Sequence, residues 1–246
     1  MTYCVGLRLK GGLVMLSDTR TNAGVDNIAT FSKMHIVEQP GERLMCLMSA
    51  GNLALTQAVV NLVTEGIAST DAGPGERLLT ATSMFAAAEL VGEAVRKVYA
   101  VHGEAMRAQN VAFDVAFLLG GQIRGAAMRL FHVYAAGNFI EATEDTPYLQ
   151  IGEHKYGKPI LDRAARYDTD IYDAIKLVLV SMDSTLRSNL TVGLPVDLLV
   201  YRRDAITIDI RRRIGEDDPY FRQLREQWST ALRDAYRAIP RPDWVP

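Results

Sequence analysis

Apolar and β-prone residues alternate over positions 3–9, and a second apolar run, Leu13-Val14-Met15-Leu16, follows Gly11-Gly12. Two such runs around a glycine pair predict an antiparallel hairpin that ends at Ser17-Asp18. Residues 19–32 are polar and turn-rich and read as a loop. Lys33 to Val37 and Arg43 to Ser49 read as two further strands, with Gln39-Pro40-Gly41 as the turn between them. The period then changes. Leu53, Leu55, Ala58, Val59, Leu62, Val63 and Ile67 fall at helical spacing and predict a helix over residues 52–68. Asp71-Ala72-Gly73-Pro74-Gly75 breaks it, and a longer Ala-rich helix is expected over 76–101. Strands are expected again over 111–119, 125–130 and 132–136, with a short one near Phe139-Ile140, and Gly120-Gly121 reads as a turn. Helices over 155–166 and 171–188, strands over 196–202 and 205–210, and a charged amphipathic helix over 219–239 complete the pattern.

Groups of strands separated by pairs of helices predict a layered β core covered on both faces. A doubly wound parallel sheet would instead alternate strand and helix. The order therefore points to an α+β chain. We place its domain over residues 1–211, with 212–246 as a helical extension packed on it or at a subunit interface.

Composition narrows the function. The chain has 246 residues, 48% hydrophobic and 23% charged, with a net charge of −2. Those values fit a folded domain and disfavour a nucleic-acid-binding surface, which would be basic. Cys4 and Cys46 are too few for a disulfide framework or a cysteine zinc site. The start lacks a basic and apolar leader, and no apolar run reaches membrane-spanning length. A cytoplasmic location is the expectation.

The chain has no dinucleotide-binding glycine fingerprint, phosphate loop, HExxH or GxSxG. Its four histidines have no ligand spacing, so neither a metal nor a cofactor is expected. What remains is Thr2. Removal of Met1 would leave a threonine carrying a hydroxyl and a free amine on adjacent carbons. The amine can then take the hydroxyl proton, so one residue supplies nucleophile and base. Three features support this reading. The hairpin returns Asp18 close to Thr2. Lys33 opens the next strand, where Asp18 is a plausible counter-ion. Ser49-Ala50-Gly51-Asn52 joins a strand to a helix, where free N–H groups make an oxyanion hole and Asn52 caps the helix.

Thr2, Ser17-Asp18-Thr19-Arg20, Lys33-Met34 and Ser49-Ala50-Gly51 together resemble the β subunits of proteasomes and the bacterial two-component heat-shock peptidase. Within that group the start, the length and the extra C-terminal helix look most like the bacterial Anbu branch, the ancestral β subunit. The resemblance implies an N-terminal-nucleophile hydrolase fold: a four-layer αββα sandwich of two antiparallel sheets. It implies Thr2 as nucleophile, Asp18 and Lys33 as the charge pair that tunes it, and the Gly51 N–H as oxyanion donor. Arg20 would hold the adjoining loop. Where proteasomes complete the site with serine and aspartate, this chain has Glu153, Ser188 and Thr191, which alters the charge around the amine.

The expected activity is cleavage of peptide or related amide bonds through an ester on Thr2. A narrow amidase or transferase and a catalytically weak assembly subunit are the alternatives. The expected partners are a peptide or small amide substrate and further copies of the chain, in a ring-like or helical homo-oligomer. Nucleic acid and membrane are not expected, and an ATPase partner stays open.

Overall fold

The computed structural model describes residues 1–22, 28–67 and 76–244. Two five-stranded antiparallel sheets stack face to face, with helices on both outer faces. This is the expected four-layer αββα sandwich.

The first sheet has the order β10-β1-β2-β11-β12. Its strands are β1 (Tyr3–Arg8), β2 (Gly12–Asp18), β10 (Tyr148–Gly152), β11 (Val196–Arg202) and β12 (Ile208–Ile214). The second sheet has the order β5-β6-β7-β8-β9. It contains β5 (Met34–Gln39), β6 (Arg43–Gly51), β7 (Val115–Ile123), β8 (Arg129–Val133) and β9 (Phe139–Glu141).

Side-chain alternation divides the core into three slabs. Cys4, Met15, Cys46, Met48, Leu118 and Leu130 fill the space between the sheets. Met45, Leu47, Phe117 and Phe131 point the other way, under α1 (Leu53–Glu65) and α2 (Met84–Ala108). Tyr3, Val5, Val14, Leu16 and Leu198 lie under α4 (Ile171–Ser188), with α3 (Lys158–Ala164) beside it.

Several expectations need correction. The loop assigned to 19–32 contains a small two-stranded sheet, β3 (Arg20–Asn22) with β4 (Ile28–Thr30). Polar three-residue strands carry no legible period. Gly120-Gly121 is not a turn but lies within β7, opposite Cys46 and Met45. A Cβ on Gly121 would approach the Leu44 carbonyl oxygen to 2.3 Å, so the pair is needed for close packing. The two strands expected over 125–130 and 132–136 are one, β8. The long helix begins at Met84, because Ser83 caps it by accepting from the Ala86 N–H at 3.0 Å, and it continues to Ala108. The break at 71–75 lies outside the described residues. Strand β10 was not expected at all, yet it pairs along the length of β1 and ends beside Thr2. The boundary at residue 211 cuts β12, which pairs with β11 as far as Ile214. The C-terminal helix α5 (Pro219–Ala238) starts only after that strand, capped by the Asp218 side chain. Phe221 and Leu224 bury its first turns in the core under α4.

Candidate active site

Thr2 precedes β1 and is 7% exposed. Asp18 is the last residue of β2, the strand hydrogen-bonded to β1, so the hairpin carries its carboxylate back to the start of the chain. Asp18 Oδ1 accepts from the Tyr3 N–H at 3.1 Å, one residue beyond Thr2. Lys33 sits just before β5, and its Nζ donates to Asp18 Oδ1 at 2.7 Å and to the Arg20 carbonyl at 2.6 Å. The Lys33 and Asp18 side chains are 5% and 0% exposed. Burial pushes the Asp18 carboxyl upward, against the pull of the ammonium and of the Tyr3 and Gly193 N–H groups.

Gly51 ends β6 at the same end of the sandwich. The Cys4 thiol, two residues after Thr2, lies 3.7 Å from the carbonyl of Ser49, two residues before Gly51. The Ser49 N–H donates to Lys33 O at 3.0 Å, whereas the Asn52 N–H turns to Asp114 O at 2.8 Å. N–H groups alternate sides along a strand. That of Gly51 therefore faces the β5 side, past Lys33, where the ladder has ended. Gly51 has φ +110°, and a Cβ there would stand 2.2 Å from the Asp114 carbonyl oxygen. Asn52 caps α1, accepting from Ala54 and Leu55.

Arg20 donates from Nη1 to Leu190 O at 3.0 Å and packs against Gly193, where a Cβ would stand 2.0 Å from its Nε. Gly193 in turn directs its N–H at Asp18 Oδ2 at 3.4 Å. The segment after α4 is thereby tied to the buried carboxylate. Thr191 lies in that segment, and its hydroxyl donates to Asn189 Oδ1 at 2.5 Å. Ser188 is the exposed last residue of α4.

Sequence reasoning missed Asn189 and Gly193. Asn189 has a signal in hindsight, as a polar residue at a helix C-terminus; Gly193 has none. Gly152 was passed over as well. It ends β10 with φ +79°, and a Cβ would stand 2.0 Å from the Thr2 carbonyl oxygen. The next N–H, from Glu153, donates to that oxygen at 2.6 Å. Glu153 itself is 5% exposed and accepts from Asn189 Nδ2 at 3.0 Å. The chain terminus therefore lies among Lys33, Asp18, Glu153 and Asp114. Burial and the Lys33 ammonium push the Met1 amine below its ordinary value, and the three carboxylates pull it back.

A threonine beside a buried lysine–aspartate pair, at the end of a stacked pair of antiparallel sheets, defines a class. The proteasome subunit family model matches residues 2–200, and the chain belongs to that family. Among its members, the chain is similar to bacterial Anbu proteins. An Anbu (Gly-1) mutant from Hyphomicrobium sp. strain MC1 is 52% identical, with a TM-score of 0.91 over 99% of this chain and 100% of that one. Anbu (ancestral beta-subunit) from Yersinia bercovieri is 48% identical, with a TM-score of 0.89 and the same coverage. Helical Assembly of the Anbu Complex from Pseudomonas aeruginosa is 47% identical, with a TM-score of 0.90 over 98% of each chain. No curated protein matches the chain. Among the described residues, no helix is long and apolar enough to cross a membrane.

Proposed function

We propose that the chain is an N-terminal threonine hydrolase that acts on peptide or related amide bonds once Met1 is removed. The observation that supports this most is the sealed Lys33–Asp18 pair at 2.7 Å beside a buried Thr2. Burying a charged pair costs several kcal/mol of desolvation, so a purely structural role has cheaper solutions.

In this reading the Thr2 Oγ attacks the scissile carbonyl carbon. Its proton passes to the Thr2 amine, directly or through one water. The carbonyl oxygen takes on negative charge and is met by the Gly51 N–H. Collapse of the tetrahedral species breaks the C–N bond, and the leaving amine departs with the proton. Water then hydrolyses the Thr2 ester by the same route in reverse. Lys33 supplies the positive charge that favours the neutral amine, Asp18 holds Lys33 in place, and Arg20 fixes the segment that carries the Gly193 N–H.

The similar Pseudomonas aeruginosa protein forms a helical assembly. We extend homo-oligomerisation to this chain, with the exposed side of α5 as a contact: Leu232 and Tyr236 are 50% and 76% exposed.

The test is labelling of the Met1-free protein by a hydroxyl-directed β-lactone, read by intact mass. Thr2→Ser should retain adduct formation and Thr2→Ala should abolish it. Equal labelling of the Thr2→Ala protein rejects the mechanism.

A further inference from the structure

Three carboxylates are buried among the described residues: Asp18, Glu153 and Asp183. Asp18 is met by Lys33. Asp183 is met by Arg225 at 2.6 Å and Arg187 at 3.7 Å. Glu153 has no such partner. Its cation is Lys155 at 3.2 Å, and the Lys155 side chain is 69% exposed. A solvent-screened lysine compensates a buried charge weakly.

The carboxylate is nevertheless held in place. Asn189 donates its Nδ2 to Glu153 Oε2 at 3.0 Å. The orientation of that amide is fixed, because Asn189 Oδ1 accepts from both the N–H and the hydroxyl of Thr191. A carboxylate has about four acceptor positions, and Asn189 and Lys155 occupy only two. The Glu153 N–H holds the Thr2 carbonyl at 2.6 Å, which seats the residue directly against the chain terminus.

The charged groups within electrostatic reach of that terminus are Lys33 before β5, Asp18 at the end of β2, Glu153 after β10 and Asp114 before β7. His154 and Lys155 follow Glu153 in the chain, and His132 on β8 lies within electrostatic reach of His154. Asp18 is paired with Lys33. Asp114 is exposed and screened. Glu153 is the buried negative charge left over.

We propose that Glu153 is the counter-ion of the mature Thr2 ammonium, a positioning residue that holds the terminal nitrogen through charge. The proposal rests on Thr2 being the mature N-terminus and the nucleophile. It deepens that reading by giving the site a second carboxylate opposed to Lys33. A negative charge at Glu153 favours the ammonium and opposes the burial and the Lys33 charge that favour the free base. Glu153 thereby moves the onset of activity to higher pH than the same site would have without it, and takes no part in bond making.

The experiment uses protein whose N-terminus is confirmed by mass to be Thr2, released from a ubiquitin fusion. Competitive acetylation of the Thr2 amine with acetic anhydride across pH 5–10 gives the midpoint of that amine, and β-lactone labelling across the same range gives the midpoint of hydroxyl reactivity. Glu153→Gln keeps an acceptor for Asn189 and removes the charge. It should lower both midpoints by about one pH unit, a tenfold gain in neutral amine. Glu153→Asp, which keeps the charge, should stay near the wild-type midpoint. An acetylation midpoint unchanged in Glu153→Gln overturns the proposal. Absence of β-lactone adduct at every pH, with acetylation still shifting, rejects the nucleophile and leaves the counter-ion standing.

Discussion

Lys33 and Asp18 meet through a single contact, Nζ to Oδ1 at 2.7 Å, with both side chains shut off from solvent. The ammonium also caps the Arg20 carbonyl, and the carboxylate collects the Tyr3 and Gly193 N–H groups. Four chain segments that are far apart in sequence converge on one ion pair. Removing one partner leaves a buried charge and loosens all four.

Lys33→Met should therefore destabilise the fold by about 3–5 kcal/mol, the usual cost of orphaning a buried charge. Adding Asp18→Leu should recover most of that loss without restoring β-lactone labelling. Urea unfolding of the single and double variants, beside the labelling assay, separates the stabilising role from the chemical one. Equal stability of Lys33→Met and wild type would contradict the pairing.

Gly51→Ala should cost about 1–3 kcal/mol, because its φ of +110° suits no residue with a Cβ and the Asp114 carbonyl already fills the space. The oxyanion N–H would shift with it, so labelling should slow by at least tenfold. Asn52→Ala, which removes only the cap of α1, should lose about 1 kcal/mol and keep its labelling rate.

Arg20→Ala should free the segment after α4, since the guanidinium spans Leu190 O and the face of Gly193. Hydrogen exchange at residues 190–193 should accelerate by more than tenfold, with little change in the strands of either sheet. Unchanged exchange there would show that β11 alone fixes the segment.

Acidification should destabilise the protein through its buried histidines. Burial, with His154 adding to it, lowers His132 to about 4, and burial also lowers His35. An unfolded histidine titrates near about 6.5. As the pH falls, the unfolded chain takes these protons first, so stability is full above about pH 6.5 and is lost progressively toward pH 4. Thermal melts across that range should show the fall, and His132→Asn should flatten part of it.

Tyr236→Asp on the exposed face of α5 should weaken self-association and leave the melting temperature within about 1–2 °C of wild type. Light scattering across protein concentration reads the first and calorimetry the second. A monomeric wild-type protein at all concentrations would remove the premise.

The amino-acid sequence by itself determined the layered class and the three residues around Thr2. Strand alternation, the change to helical period at Leu53 and the hairpin around Gly11-Gly12 are local signals, and they suffice to return Asp18 toward the start of the chain. Ser49 to Asn52 was legible for the same reason, as a strand end running into a capped helix. Tertiary structure decided what has no local period. Strand β10 is five residues of mixed character and becomes a strand only because β1 offers it an open edge. Gly120-Gly121 spells a turn locally, but the packing of Leu44 and Met15 against it requires a strand. Glu153 looked like a simple replacement in the sequence. Its hold on the Thr2 carbonyl continues the pairing of β10 with β1, and its contact with Asn189 needs α4 packed on that same sheet, so no local pattern reveals either.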